Sequence, residues 1–307
     1  GLMAGLPISV AGATINRLCG SSMQAIHMAA GAIQMGAGDV YICAGVESMT
    51  RVPMPGFNPM PNPALFDTMP AAYMSMGETA ENVGREYQIS REEQEIFAVN
   101  SQQKAGVAQS QGRFADEIVP IDVNGTTIDQ DGCLRPSTDL DGLSGLELAL
   151  DENGTVTAGT SSPLTDGAAA TLICDADYAA KNGLKPMARI ASVAVSGCKP
   201  ETMGLGPIFS SRKALSRAGI TSQDLSVIEV NEAFATQSIA SLRDLDLDPA
   251  TVNVDGGAIA IGHPLGATGA RITGKAAQIL QRDGGRYALS TQCIGGGQGI
   301  ATVLEAV

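Results

Sequence analysis

Residues 21–35 (SSMQAIHMAAGAIQM) are apolar around nearly the whole helical circumference, which predicts a helix enclosed on every side. Residues 39–45 (DVYICAG) form an almost unbroken apolar run and predict a buried strand. Together they predict an α/β core. The pattern then breaks, because six prolines fall between residues 51 and 70, and proline ends regular structure. A more polar, loop-rich lobe follows. Within it Ser90 and Glu93 have capping-box spacing ahead of a helix predicted to run to about Gln111, and Asn124-Gly125 predicts the turn of a polar hairpin. From residue 187 strands and helices alternate again: MARIASVAV, PIFSSRKALSRAG with Gly219 as its stop, LSVIEV, a helix from Glu232, and a strand VNV at Val252.

A weak internal repeat links the two ends of the chain. Residues 16–45 run from a strand end through a small-residue loop, a long helix and a glycine to a strand carrying Cys43-Ala44-Gly45. Residues 253–295 run from a strand end through a glycine loop, a long helix and Gly284-Gly285 to a strand carrying Cys293-Ile294-Gly295. Two such halves would set two loops face to face, although any two α/β units share this outline. Only 18 residues precede Cys19, so the first half is expected to lack its opening strands. A mostly parallel sheet left incomplete would expose an edge and an apolar face, which predicts instability or self-association of this chain alone.

Composition narrows the function. With 307 residues, 44% hydrophobic and 17% charged, the chain can bury enough apolar surface to offset its ordering entropy, which argues against disorder. A formal net charge of −13 makes a polyphosphate backbone a poor partner and argues against nucleic acid. Six cysteines without CxxC spacing fit neither a disulfide scaffold nor a metal site and suggest a reducing compartment. No apolar run approaches a membrane span and the start lacks a signal-like pattern, so a cytoplasmic protein is the expectation.

Three residues carry candidate chemistry. Cys19 is placed where a strand ends and an apolar helix begins, so unpaired N–H groups and the positive end of the helix dipole are expected to lower its thiol pKa. Cys43, inside the predicted strand, reads as core. Of the two histidines, His27 lies within the apolar helix and reads as a packed core residue, whereas His263 lies in GGAIAIGHPLGATGAR, where glycines let backbone approach a ligand. Cys293 lies in TQCIGGGQG, whose glycines permit backbone N–H groups to converge on an anion. Two other motifs fail. GARITGK lacks the final Ser/Thr of a P-loop and falls inside a predicted helix; GGGQG lacks GxGxxG spacing and leads into a strand.

NRLCGSS at 16–22, NEAF at 231–234, GGAIAIGHPLGATGAR at 256–271 and CIGGGQG at 293–299 together resemble the signature blocks of thiolases, and MGETAENV at 76–83 and GTVTAGTSSPLTDGAAA at 154–170 extend the resemblance across the chain. The family's opening strand, helix and second strand find no counterpart. The resemblance implies a five-layered α/β/α/β/α fold of two similar halves, the first incomplete (residues 1–48 and 165–186), a C-terminal half at 187–307, and an inserted coenzyme A-binding loop domain at 49–164. It implies thiolytic cleavage of 3-ketoacyl-CoA to acetyl-CoA and a shortened acyl-CoA, as in fatty acid β-oxidation, by ping-pong kinetics through an acyl-cysteine. In these terms Cys19 is the nucleophile, His263 its base and Cys293 the acid/base. Asn231 holds the water of one oxyanion site, and the backbone N–H groups of Cys19 and Gly295 form the other. Arg135 aligns with a phosphate-side arginine, and Ser162, Ala158, Met76, Leu164 and Phe234 with pantetheine or substrate contacts. Coenzyme A would be a co-substrate, with no permanently bound cofactor and no metal; the partners implied are a second copy in a homodimer or homotetramer and a β-oxidation multienzyme partner. Ser75 stands where many short-chain biosynthetic thiolases carry histidine, which favours a degradative enzyme, and LSGLELAL at 143–150 replaces a more basic stretch. A biosynthetic acetoacetyl-CoA thiolase and a non-catalytic acyl-CoA-binding or assembly subunit are the alternatives; a decarboxylating ketoacyl synthase fits less well, because Cys293 and its glycines replace that group's second His or Asn site.

Overall fold

Helix α1 (Ser21–Gln34) leads into strand β1 (Val40–Glu47), as the apolar pattern predicts. A computed structural model describes residues 1–54, 56–58, 60–150 and 153–307, so Pro55 and Pro59 of the proline-rich stretch lie outside the described residues. Short helix α2 (Pro63–Thr68) is capped by Asn62, and α3 (Met76–Glu86) and α4 (Arg91–Ser110) each begin on a complete capping box, Ser75 with Glu78 and Ser90 with Glu93. The hairpin β2 (Ile121–Val123) and β3 (Thr126–Ile128) turns at Asn124 and Gly125, both at positive φ, as Asn-Gly turns require. Helix α5 (Leu140–Ser144) follows, then β4 (Gly167–Cys174) and α6 (Ala176–Lys181). The second half comprises β5 (Arg189–Gly197), α7 (Gly206–Ala218), β6 (Leu225–Val230), α8 (Ala235–Asp244), α9 (Ala258–Ile261), α10 (Leu265–Asp283), β7 (Tyr287–Ile294) and β8 (Gln298–Glu305). Gly219 ends α7 in the left-handed conformation expected of it.

Helices α1 and α10 lie side by side between two sheets. Their backbones approach so closely that a Cβ at Gly269 would lie 2.4 Å from the Met23 nitrogen, and the Ser22 hydroxyl accepts from the Ala270 N–H at 2.8 Å. On one side lies a sheet of order β5-β8-β7-β6, with α7 packed on its far face; on the other lies β1 paired antiparallel with β4. The larger sheet is mixed rather than mostly parallel: only β6–β7 runs parallel, since β7 and β8 form a hairpin through the glycine turn. The repeat read from sequence corresponds to α1–β1 and α10–β7, each strand then paired antiparallel with a later one.

Four local expectations are corrected. Helix α1 is not enclosed: Met28 is 49% exposed, because the layers beside α10 and β1 cover only part of its circumference. Strand β1 is not buried on both faces either. Tyr41, Cys43 and Gly45 face the helices, while Ile42 and Val46 are 55% and 74% exposed, since no layer covers the outer face among the described residues. The helix expected from Glu232 begins at Ala235, because residues 231–234 stay extended: Ser162 donates to the Ala233 carbonyl at 3.0 Å and Ser161 bridges to Phe234. No VNV strand forms. Asn253 adopts positive φ and its side-chain amide pairs with both backbone groups of Val230, leaving only a single bridge between Ile228 and Val252.

Candidate active site

Cys19 occupies a 3-10 turn, Leu18–Gly20, that runs directly into α1. The turn is tightly fastened: Leu18, at φ 48°, donates its N–H to Asn16 Oδ1 at 2.7 Å, and the Gln292 amide donates to the Cys19 carbonyl. Arg17 reaches Gln298 Oε1 at 2.6 Å, so both strands of the β7–β8 hairpin hold this turn, next to its glycine bend. Gly20 packs against Ile294, where a Cβ would come within 2.4 Å of Cδ1.

The Cys19 thiol is half-buried and receives the backbone N–H groups of Gly295 and of Cys19 itself. Burial nevertheless dominates, and with the nearby Glu47 carboxylate it pushes the thiol up to about 11, against the expected depression. The reason is that two N–H donors and a helix terminus do not offset desolvation and a neighbouring anion. Cys293 is buried on β7, and burial, then the Cys19 and Cys198 sulfurs, push its thiol up further still. It clusters with Met203, Ala233, Met76 and Phe234.

His263 follows α9 across Gly262, which at φ 97° lies so close to Thr165 that a Cβ would approach its side chain to 2.6 Å. Its N–H donates to Thr165 Oγ1 at 3.1 Å, its Nε2 lies 3.3 Å from Asn231 Nδ2 and its Nδ1 2.7 Å from Thr268 Oγ1. Burial, then the Arg271 charge, lowers its pKa to about 3, so the ring is neutral. Asn231 and Cys293 stand toward the carboxyl ends of the parallel pair β6–β7, where the Asn231 N–H bonds the Thr291 carbonyl at 3.0 Å. The neighbouring Glu232 braces this arrangement: its buried carboxylate accepts from Ser101, Asn253 and the Ile259 N–H at 2.6, 2.8 and 3.1 Å, tying the end of β6 to the loop that leads to His263.

The sequence-derived residues therefore fall into distinct groups. Cys19, Gly295 and Cys293 meet, as do Asn231 and His263, and Met76 lies beside both Gly295 and Cys293. Ser162 adjoins the Asn231–Phe234 segment through the Ala233 carbonyl. Leu164, Ala158 and Arg135 are exposed, and among the described residues Arg135 bonds within its own lobe, to Gln102, Thr138 and the Cys133 carbonyl. His27 and Cys43 are core: the His27 ring contacts Thr302 Oγ1 at 2.8 Å, and burial lowers its pKa to about 4. Sequence reading missed Thr268, Gln292 and Cys198. Of these only Thr268 carried a signal, one turn beyond Pro264 on the helix that His263 opens.

Models of the thiolase N-terminal and C-terminal domains match residues 1–177 and 184–306. The chain is 46% identical to the 3-ketoacyl-CoA thiolase of Bacillus subtilis, over 99% of this chain and 81% of that protein. It is 47% identical to the 3-oxoadipyl-CoA/3-oxo-5,6-dehydrosuberyl-CoA thiolase of Escherichia coli, over 100% and 82%. A solved structure of human mitochondrial 3-ketoacyl-CoA thiolase in complex with CoA superposes with a TM-score of 0.91 at 41% identity, covering 100% of this chain and 80% of that one. The chain has the thiolase fold and belongs to the thiolase family.

Proposed function

We propose that the protein cleaves 3-ketoacyl-CoA with coenzyme A, releasing acetyl-CoA and an acyl-CoA shortened by two carbons. The observation that carries this reading is the Cys19 sulfur facing the Gly295 and Cys19 N–H groups, with a second thiol, Cys293, beside it. Cys19 gives its proton to His263 and attacks the 3-keto carbon, whose oxygen takes the electron pair. The bond between C2 and C3 then breaks, and Cys293 protonates the departing acetyl-CoA enolate. The acyl group stays on Cys19 as a thioester, its oxygen in the hole formed by the two backbone N–H groups. Cys293, now a thiolate, takes the proton of an incoming CoA thiol, which attacks the thioester and frees Cys19 to take its proton back from His263.

A thiol near 11 and an imidazole near 3 are both neutral at pH 7. Proton transfer therefore accompanies attack, when the forming oxyanion finds its donors, and no standing ion pair is required. Asn231 supports the second oxyanion site, since its buried Oδ1 has no protein partner and can hold a water beside His263. Residues 49–164 form the coenzyme A-binding lobe in this reading, between the two segments of the first half, with Arg135 toward the phosphates and Met76, Ser162, Ala158, Leu164 and Phe234 along the pantetheine and acyl path. A homo-oligomer in the cytoplasm, working next to other β-oxidation enzymes, completes it; among the described residues no helix is long and apolar enough to cross a membrane.

The test is CoA-dependent cleavage of 3-ketoacyl-CoA of graded length, with intact-mass detection of the acyl-Cys19 adduct. Medium and long chains should be cleaved faster than acetoacetyl-CoA, because Ser75 serves as the N-cap of α3 where an imidazole would fill space. A strong preference for acetoacetyl-CoA would establish the biosynthetic alternative, and binding of CoA without adduct or cleavage would establish a non-catalytic subunit.

A further inference from the structure

We infer that Thr268 is a positioning residue that fixes the proton of His263 on Nδ1 and so leaves Nε2 as the basic atom facing the reaction. The inference rests on the reading of His263 as the base. It starts from the two side chains that hold the ring, Thr268 at 2.7 Å from Nδ1 and Asn231 at 3.3 Å from Nε2.

A threonine hydroxyl has one proton to give. Thr268 Oγ1 lies 3.0 Å from the Pro264 carbonyl, one turn back in α10, in the geometry of a helical back-bond. With its proton on that carbonyl, the hydroxyl can only accept from the imidazole, so Nδ1 carries hydrogen. The other side agrees. Asn231 turns its amide nitrogen toward Nε2, and an N–H donor there needs a bare ring nitrogen. Proton donation thus runs in two consistent steps, Asn231 to Nε2 and Nδ1 through Thr268 to Pro264. The reverse order would require Thr268 to abandon Pro264 and the Asn231 amide to flip.

The consequence is that one atom performs two tasks. Nε2 gives up its hydrogen bond from Asn231 as it accepts the Cys19 proton and sulfur bonds to the carbonyl carbon; the imidazolium so formed keeps Nδ1–H on Thr268 and offers the new Nε2–H to the oxyanion. The imidazolium holds this proton through the acyl-enzyme stage and returns it to the Cys19 sulfur when CoA displaces the acyl group, and the ring regains its starting tautomer without turning. Both ring nitrogens are buried with the side chain, so solvent does not exchange these roles freely.

The chain has only two histidines, so two-bond proton–nitrogen spectra of the uniformly nitrogen-15-labelled enzyme contain two imidazoles, and His263→Ala identifies which is which. The expected spectrum shows His263 neutral at pH 7 with Nδ1 protonated and Nε2 bare. A ring protonated on Nε2 overturns the inference. Thr268→Val, nearly isosteric, should lose this tautomer preference and slow acylation of Cys19 by acetyl-CoA about 10- to 100-fold, the range for groups that orient a reacting ligand or base. Thr268→Ser should restore both. Wild-type spectra and acylation rates in a folded Thr268→Val also overturn it, and if that variant does not fold, the wild-type and Thr268→Ser spectra decide alone. Absence of any Cys19 adduct in a wild type that shows the Nδ1–H tautomer would defeat the acyl-transfer reading while leaving the tautomer assignment intact.

Discussion

The two halves of the molecule use the same unit, a loop followed by a long central helix, a strand and an antiparallel partner, but bury it to different degrees. Strands β7 and β8 are buried along almost their whole length, and the second half carries most of the large apolar clusters. Strands β1 and β4 alternate between covered and open residues, with Ile42, Val46 and Leu172 more than half exposed. Cys19 belongs to the open half, whereas His263, Asn231, Cys293 and Gly295 belong to the closed one. The Cys19 turn keeps its place because the closed half grips it, through Gln292 at the Cys19 carbonyl, Gln298 at Arg17 and Ala270 at Ser22. Rigidity in one half is thus lent to the other, and the candidate site sits on their boundary.

The largest effect should separate the thiols of the two halves. Cys19→Ala should lose thiolysis by about 10⁴-fold or more and form no acyl adduct, as expected when a covalent nucleophile is removed. Cys293→Ala should lose about 10²- to 10⁴-fold in turnover, the weight of a general acid/base, yet still become acylated slowly at Cys19 by acetyl-CoA. Intact-protein mass spectrometry after brief exposure to acetyl-CoA reads both. An acyl group on Cys293 in the wild type would dissolve the division of labour.

The next effect tests what makes the closed half rigid. Asp255 is fully buried and joins Arg113, Lys275 and Arg282 at 2.6 to 2.8 Å, tying α10 to the chain beyond α4. Burial works against its ionisation, but the three cations outweigh that and hold the carboxyl down to about 2 from its ordinary 3.8. Asp255→Asn should cost about 2–3 kcal/mol at pH 7, since Arg113 loses its carboxylate while Lys275 keeps Glu117 and Arg282 keeps Asp283. Because the folded-state pKa is the lower one, the wild type's advantage should be complete above pH 3.8 and fade as pH falls toward 2. Urea titrations at pH 7 and pH 3 check both the size and the direction.

How much of this was legible in the sequence also differs between the halves. Caps and stops were readable because they are local: Ser75, Ser90, Asn124-Gly125 and Gly219 all do what their type and spacing predict. The motif cysteines and His263 were singled out through resemblance; the local reading of helix position placed Cys19 at the start of α1 but expected a lowered thiol pKa where the structure raises it. The cover over a strand was not legible, since VYICAGV reads the same whether its second face meets a helix or water. Nor was the Cys19 pKa, which burial raises above all and which depends further on Gly295 and Glu47, both distant from it in sequence. The start of α8 depends on the backbone pairing of residues 233–234 with Ser161 and Ser162, and the missing VNV strand on the Asn253 side chain, which takes the place of backbone pairing with Val230.

The seam between the halves should be the next most sensitive place. Gly269→Ala puts a methyl 2.4 Å from the Met23 backbone nitrogen, which helix shifts alone can relieve, and should cost about 1–3 kcal/mol together with a loss of acylation rate. Gly274→Ala, on the same helix, meets only the Thr171 methyl at an ordinary 3.5 Å and should not destabilise. If both variants behave alike, the two helices are not the rigid contact that positions Cys19.

Smaller in free energy is the open face of the small sheet. Replacing Ile42, Val46 and Leu172 together by Thr keeps β-branched residues at two of the three positions and removes the exposed apolar stripe. This 307-residue chain, expressed alone, should self-associate and bind a hydrophobic dye, and the triple variant should do less of both by light scattering and fluorescence. A well-dispersed, dye-silent wild type would mean that the open face is harmless as it stands.

The smallest effect is confined to α1. Gly31 lies inside this helix with nothing within 4 Å of where a Cβ would stand, in contrast to Gly269 on α10, so the site has room and no demand for glycine. Alanine lowers the entropy lost on forming the helix, and Gly31→Ala should stabilise by about 0.8 kcal/mol in urea titration without altering the rate at which Cys19 is acylated. A gain of that size would show that the open half folds as part of the same cooperative unit, because a helix that melted independently would contribute nothing to the global transition. No change in the midpoint would place α1 in a separate, earlier transition. The closed half would then hold the Cys19 turn through Gln292 and Arg17 only while α1 remains docked, and Gly31→Ala should instead raise the protection of α1 amides in hydrogen exchange.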